Sequence, residues 1–120
     1  MENKIKVLYI PADGEATVRE IGNHLLDMWD LVGGYIEVVR PFNDDVALVC
    51  NEEGRIVRGM QPNLVVNGQV IVGDVFICRT ELGPEGEEFA SLTDEQIEKY
   101  SNMFTVDNRS FQLLIAMLKQ

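Results

Sequence analysis

Apolar and polar positions alternate from Lys4 to Ile10, with Ile5, Val7 and Tyr9 on one side of an extended chain and Leu8 and Ile10 on the other. That period of two predicts a β-strand. Pro11 ends the run and Asp13-Gly14 is a turn signal, so Ala16 to Ile21 is expected to return as a second strand and close an N-terminal hairpin. The period then lengthens. Leu25, Leu26, Trp29 and Val32 recur at helical spacing, Asp27 and Asp30 fall mostly elsewhere, and Asn23 is placed to cap the helix.

The predicted helix stops at Gly33-Gly34. A phosphate cradle runs strand, glycine loop, helix, so that the positive end of the helix faces the anion. Here the glycine pair follows a helix, where the local dipole is negative, and its expected task is the left-handed cap conformation that a Cβ disfavours.

Tyr35 to Arg40 is the next predicted strand, with Ile36 and Val38 on one face and Tyr35, Glu37 and Val39 on the other. Pro41 ends it. Past a polar turn at Asn43-Asp44-Asp45, Val46 to Cys50 is almost wholly apolar, as in a central strand covered on both faces. Asn51-Glu52-Glu53-Gly54 makes another turn, followed by a weaker segment from Arg55 to Met60 and a break at Gln61-Pro62-Asn63. Asn67-Gly68, between Val65-Val66 and Val70-Ile71, is the clearest hairpin signal, because a type I′ turn requires positive φ at both central positions. Asp74 to Arg79, preceded by Gly73, alternates as a second central strand.

The segment from residue 80 to 90 changes character: Glu81, Gly83, Pro84, Glu85, Gly86, Glu87 and Glu88 predict a flexible acidic loop. Thr93 with Gln96 fits a capping box for a helix running to about Met103. Asp107 or Ser110 can cap a last helix through Phe111, Leu114, Ile115 and Leu118, making residues 105–120 a C-terminal helical extension apolar enough to dock on a sheet or on another subunit. The order predicts a single α+β domain over residues 1–120. Its mainly antiparallel twisted sheet has about five to seven strands, with one helix after the N-terminal hairpin and two C-terminal helices packed on it.

Composition narrows the function classes. The chain has 120 residues, 46% hydrophobic and 25% charged, enough for one core without metal or disulfide staples. Twenty acidic against ten basic residues leave a formal charge of −10, which disfavours direct nucleic-acid binding and anionic membrane surfaces. Such a surface serves solubility, or complements a basic partner. No apolar run approaches the roughly 20 residues that span a bilayer, and the start leads into a strand instead of a signal peptide, so a cytoplasmic protein is expected. Cys50 and Cys78 each sit within apolar runs and read as buried, reduced thiols.

Candidate chemistry is sparse. His24, the only histidine, adjoins Leu25-Leu26 and reads as a surface or half-buried helix residue. Paired carboxylates are plentiful, yet no motif selects Glu37, Glu52 or Asp74 as a tuned acid. Asp44-Asp45 and Glu52-Glu53 lack the oxygen-ligand spacing of a calcium loop. No catalytic residue, metal site or cofactor is expected. Tyr35 and Glu37, beside Arg40, could present a ring and a carboxylate to a ligand, or pack under a helix.

The stretches LVGGYIEVVRPFNDDVALVCNEEG, GDVFICR and FASLTDEQIEKYSNMF resemble a family of small proteins of unknown function carried by phages, plasmids and integrative elements, largely of Gram-positive bacteria. The likeness covers about Lys6 to Phe104, and brings no assigned catalytic residues. Members often carry a Gly-Leu-Pro-x-Asn-Arg segment where this chain, over Arg55 to Asn63, matches only at Gly59, Pro62 and Asn63.

That context implies two functions. The first is a non-enzymatic accessory protein that binds and inhibits a host protein with a basic surface, such as a defence component, through an acidic face including Glu81, Glu85, Glu87 and Glu88. The alternative is a small-molecule or nucleotide-signal sponge, whose rings and cations would come from Tyr35, Arg40, Arg58 and Arg79. A homo-oligomer through the C-terminal helix is compatible with either.

Overall fold

The computed structural model describes residues 3–53 and 60–119. Arg58 and most of the weak segment expected before Met60 lie outside the described residues. The described chain runs β1 (Lys4–Ile10), β2 (Thr17–Gly22), α1 (Leu25–Val32), β3 (Ile36–Val39), β4 (Val46–Asn51), β5 (Pro62–Val66), β6 (Gln69–Val72), β7 (Val75–Gly83), β8 (Gly86–Ala90), α2 (Asp94–Met103) and α3 (Val106–Leu118). The fold is α+β. Five strands order as β2-β1-β7-β4-β3, β8 joins beside β7 to make a six-stranded antiparallel sheet, and β5 and β6 form a separate two-stranded sheet.

Alternation along the three inner strands builds two cores. Leu8, Ile10, Val46, Leu48, Val75 and Ile77 point to one face, where Leu64, Val66 and Ile71 of the small sheet and Leu92, Tyr100 and Phe104 cover them. Ile5, Val7, Ala47, Val49, Phe76 and Cys78 point to the other, where Met28 and Val32 of α1 close over them. This explains the apolar runs at 46–50 and 75–78: every residue in both is buried. No described helix is long and apolar enough to cross a membrane.

Local signals behave as their chemistry requires. Gly33 ends α1 at φ 82°, its N–H donating to the Trp29 carbonyl at 2.8 Å, and Asn67 and Gly68 take φ 48° and 75° in the β5–β6 turn. Thr93 and Gln96 form the reciprocal capping box of α2, at 3.1 and 3.0 Å. Two expectations are corrected. Asn23 does not cap α1: His24 holds the cap position without a side-chain bond, while the Asn23 amide donates to the Phe89 carbonyl at 3.2 Å. Neither Asp107 nor Ser110 caps α3, since Thr105 accepts from the Asn108 N–H. In β3, an edge strand paired only with β4, Ile36 and Val39 pack against the two cores from opposite faces and Val38 is exposed.

The acidic loop expected over residues 80–90 is also corrected. It is the end of β7, a turn and β8, with Glu81 opposite Glu88, Leu82 opposite Glu87 and Gly83 opposite Gly86. Gly86 at φ 116° allows the reversal, Phe89 packs the returning strand against the core under α1, and Ala90 is buried. α3, the expected extension, packs its inner side on β5 of the small sheet, and leaves Phe111, Leu114, Met117 and Leu118 exposed.

Candidate functional site

Past Arg79, β7 has left β1 and β4 and continues its ladder with β8 alone. Facing residues of an antiparallel pair share a side. Glu81 and Glu88 therefore occupy one side of this ribbon, and Leu82 and Glu87 the other. Pro84 and Glu85 fill the turn between the strands. Glu81, Glu85, Glu87 and Glu88 are all exposed, and Leu82 is 87% exposed, the most exposed large apolar residue described.

Two arginines meet this ribbon. Arg40, just beyond β3, pairs with the Glu87 carboxylate. Arg79 shares a side with Glu81 and lies 3.7 Å from its carboxylate, while its Nε–H donates to the Ser91 carbonyl at 2.8 Å. These exposed pairs add little stability. They orient Glu81 and Glu87, whereas Glu85 and Glu88 make no ion pair among the described residues.

The structure thus joins residues that sequence analysis assigned to rival readings. Arg40 and Arg79 are held by carboxylates of the ribbon, and Tyr35 stands elsewhere, stacked edge-on against Trp29 with ring centroids 4.8 Å apart. The cavity beside Tyr35, about 440 Å³, is lined by Glu52, Glu53 and the glycine pair and by no arginine among the described residues. Cys50 and Cys78 are buried, and burial pushes the Cys78 thiol up to about 12, which suppresses the thiolate.

Two polar clusters hold the framework. Asp44 accepts from the Tyr100 hydroxyl at 2.8 Å and from its neighbour's N–H at 2.8 Å, and the Gln96 amide donates to Asp44 and Asp45. Burial opposes the Asp44 charge, but these donors outweigh it and hold its carboxyl below the usual carboxylate range. Burial first, and the Asp44 bond second, push the Tyr100 phenol up. A depressed folded pKa gives stability that is complete above the unfolded value of about 4 and lost as pH falls through the folded value. Asp44→Asn is therefore expected to flatten the acid limb of the stability curve, read from urea midpoints between about pH 5 and 2; an unchanged limb would discard this role.

The second cluster went unnoticed in the sequence. Arg109 of α3 is 4% exposed. Its Nη1 donates to the Pro11 carbonyl and the Asn63 side chain at 2.8 Å, and its Nη2 to the Gly14 carbonyl. Asn63 in turn donates to the carbonyls of Ile10 and Gly73 at 2.9 and 2.8 Å. The available signal was helical spacing, since Val106, Arg109, Leu113 and Ala116 form one inward stripe.

A family model described as a domain of unknown function, DUF3846, matches residues 5–105. The match ends just before α3. No curated protein and no solved structure matches the chain.

Proposed function

The chain belongs to the DUF3846 family of domains of unknown function, and we propose that it is a non-enzymatic accessory protein of a mobile genetic element that binds and inhibits a basic host protein. The observation that carries this reading is the β7–β8 ribbon, which presents four exposed carboxylates, with Glu87 on the side of the 87% exposed Leu82, Glu81 and Glu88 on the opposite side and Glu85 in the turn. An exposed apolar anchor on an acidic ribbon suits a partner pocket rimmed by Lys and Arg, where charge guides the encounter and the leucine slows release. A formal charge of −10 adds long-range attraction to such a partner, and salt weakens it.

The nucleotide-sponge alternative has less support, because Arg40 and Arg79 already engage Glu87 and Glu81. Reversing the two carboxylates that make no ion pair among the described residues, Glu85→Lys with Glu88→Lys, is expected to lower capture of the partner from lysate of the natural host type about tenfold or more. The melting temperature should not move. Partner capture equal to wild type, at low and high salt alike, would rule out the ribbon as the docking element.

A further inference from the structure

α3 turns its inner stripe toward the small sheet, and its outer side is apolar as well. Phe111, Leu114, Met117 and Leu118 stand 53–75% exposed. Helical spacing puts Ile115 between them and a groove of about 550 Å³ that the helix forms with Val65 and Val70 of the small sheet. A helix that is apolar on both sides is normally covered on both. In a chain of formal charge −10, residues 108–119 contain no acidic residue, and their only charged groups are the buried Arg109 and Lys119. Opposite charges bound the outer stripe, Asp107 in the first turn of α3 and Lys119 at its C-terminal end.

We propose that a second copy of this chain covers the outer side of α3, helix packing antiparallel on helix about a two-fold axis near Leu114. A basic partner gains from carboxylates and finds them elsewhere on the molecule, whereas two copies of an acidic chain repel each other wherever carboxylates meet. The acid-free side of α3 is where they approach at least cost. A two-fold contact must also complement itself. Antiparallel packing opposes the two helix dipoles favourably and sets Phe111 of each copy against Leu118 of the other. It leaves Asp107 about 4.5 Å along the axis from Lys119 of the other copy, within reach of a lysine side chain. A parallel pair would instead set Asp107 against Asp107. The four outer residues expose about 450 Å² per copy, and with the groove margins a pair buries close to the roughly 1,200 Å² at which standard interfaces begin. The expected dimer is closed and of micromolar affinity. It does not rest on the β7–β8 ribbon, and either reading can fail without the other.

Sedimentation velocity of the full chain, from about 1 to about 500 μM, tests this. The wild-type chain is expected to pass from monomer to dimer and no further, and to dimerise more tightly as salt screens the repulsion between copies. Phe111→Glu with Leu118→Glu, and the uncharged pair Phe111→Gln with Leu118→Gln, should each weaken the dimer about tenfold or more. Circular dichroism of dilute samples should show wild-type helix content in both, since these side chains stand largely in water in the single chain. Asp107→Lys should weaken the dimer at low salt even though it reduces the net charge, and adding Lys119→Glu should restore it. A chain that stays monomeric throughout, a dimer that survives both double variants, growth beyond the dimer, or a dimer that salt weakens overturns the proposal. Failure of the charge exchange to restore dimerisation overturns the antiparallel order. A monomeric chain that captures a lysate protein, and loses it in the glutamine variant, overturns the proposal by making a different protein the occupant.

Discussion

Arg109→Met is expected to cost about 3–5 kcal/mol of stability and to lower the melting temperature by roughly 10 °C or more. The methionine keeps most of the apolar stem and removes the donors to Pro11, Gly14 and Asn63. Each of those acceptors would then be stranded, in a place where α3 meets both the β1–β2 turn and β5. Burial lowers the affinity of the guanidinium for its proton and Glu15 counteracts it, and the group stays charged at any working pH. Urea denaturation measures the loss. A cost under about 1 kcal/mol would mean that the desolvation of the charge cancels its bonds and that α3 is held by apolar contact alone. A double-mutant cycle with Asn63→Ala should show coupling of about 1–2 kcal/mol, because the two side chains share one hydrogen bond and donate to the adjacent carbonyls of Ile10 and Pro11.

Phe76→Ala is expected to cost about 3–5 kcal/mol, by loss of buried apolar surface and by the cavity left behind. Phe76 is 0% exposed, in the strand between β1 and β4, among the residues that Met28 and Val32 of α1 cover. Neighbours from three strands and a helix cannot all relax into the gap. Leu82→Ala, in the same strand, is the contrast: stability should stay within about 0.5 kcal/mol, since the side chain has already been left in water. If Leu82→Ala destabilised the protein comparably, the leucine would be part of the fold and not a free anchor. If Phe76→Ala were mild, the α1 face of the sheet would contribute little and the core opposite would carry the molecule.

Much of the architecture was legible because its causes are local. Gly33 and the Asn67-Gly68 pair mark positive φ, Thr93 and Gln96 satisfy free amides three residues apart, and unbroken apolar runs mark strands with two covered faces. The caps of α1 and α3 misled, because several polar residues near a helix start can serve and the path of the incoming chain selects one. Asn23 was drawn away to the Phe89 carbonyl, and Thr105 stands immediately before the first turn, which already contains Asp107.

The candidate site was half legible. The acidic segment was visible as composition, but glutamates and glycines carry weak strand preference, and only pairing with β7 turns Gly86–Ala90 into β8. The arginines were visible one by one. That Arg40 would meet Glu87, 47 residues away, and that Arg109 would meet Asn63, 46 residues away, depends on how the sheet orders its strands.

By itself, then, the sequence determined the α+β class, the inner strands and the signals that begin and end most elements, since each follows from backbone geometry or from burying apolar surface within a few residues. Tertiary structure alone decided which charges are neutralised, which leucine stands in water and which arginine is buried, because those outcomes are set by contacts between distant segments that no local spacing encodes.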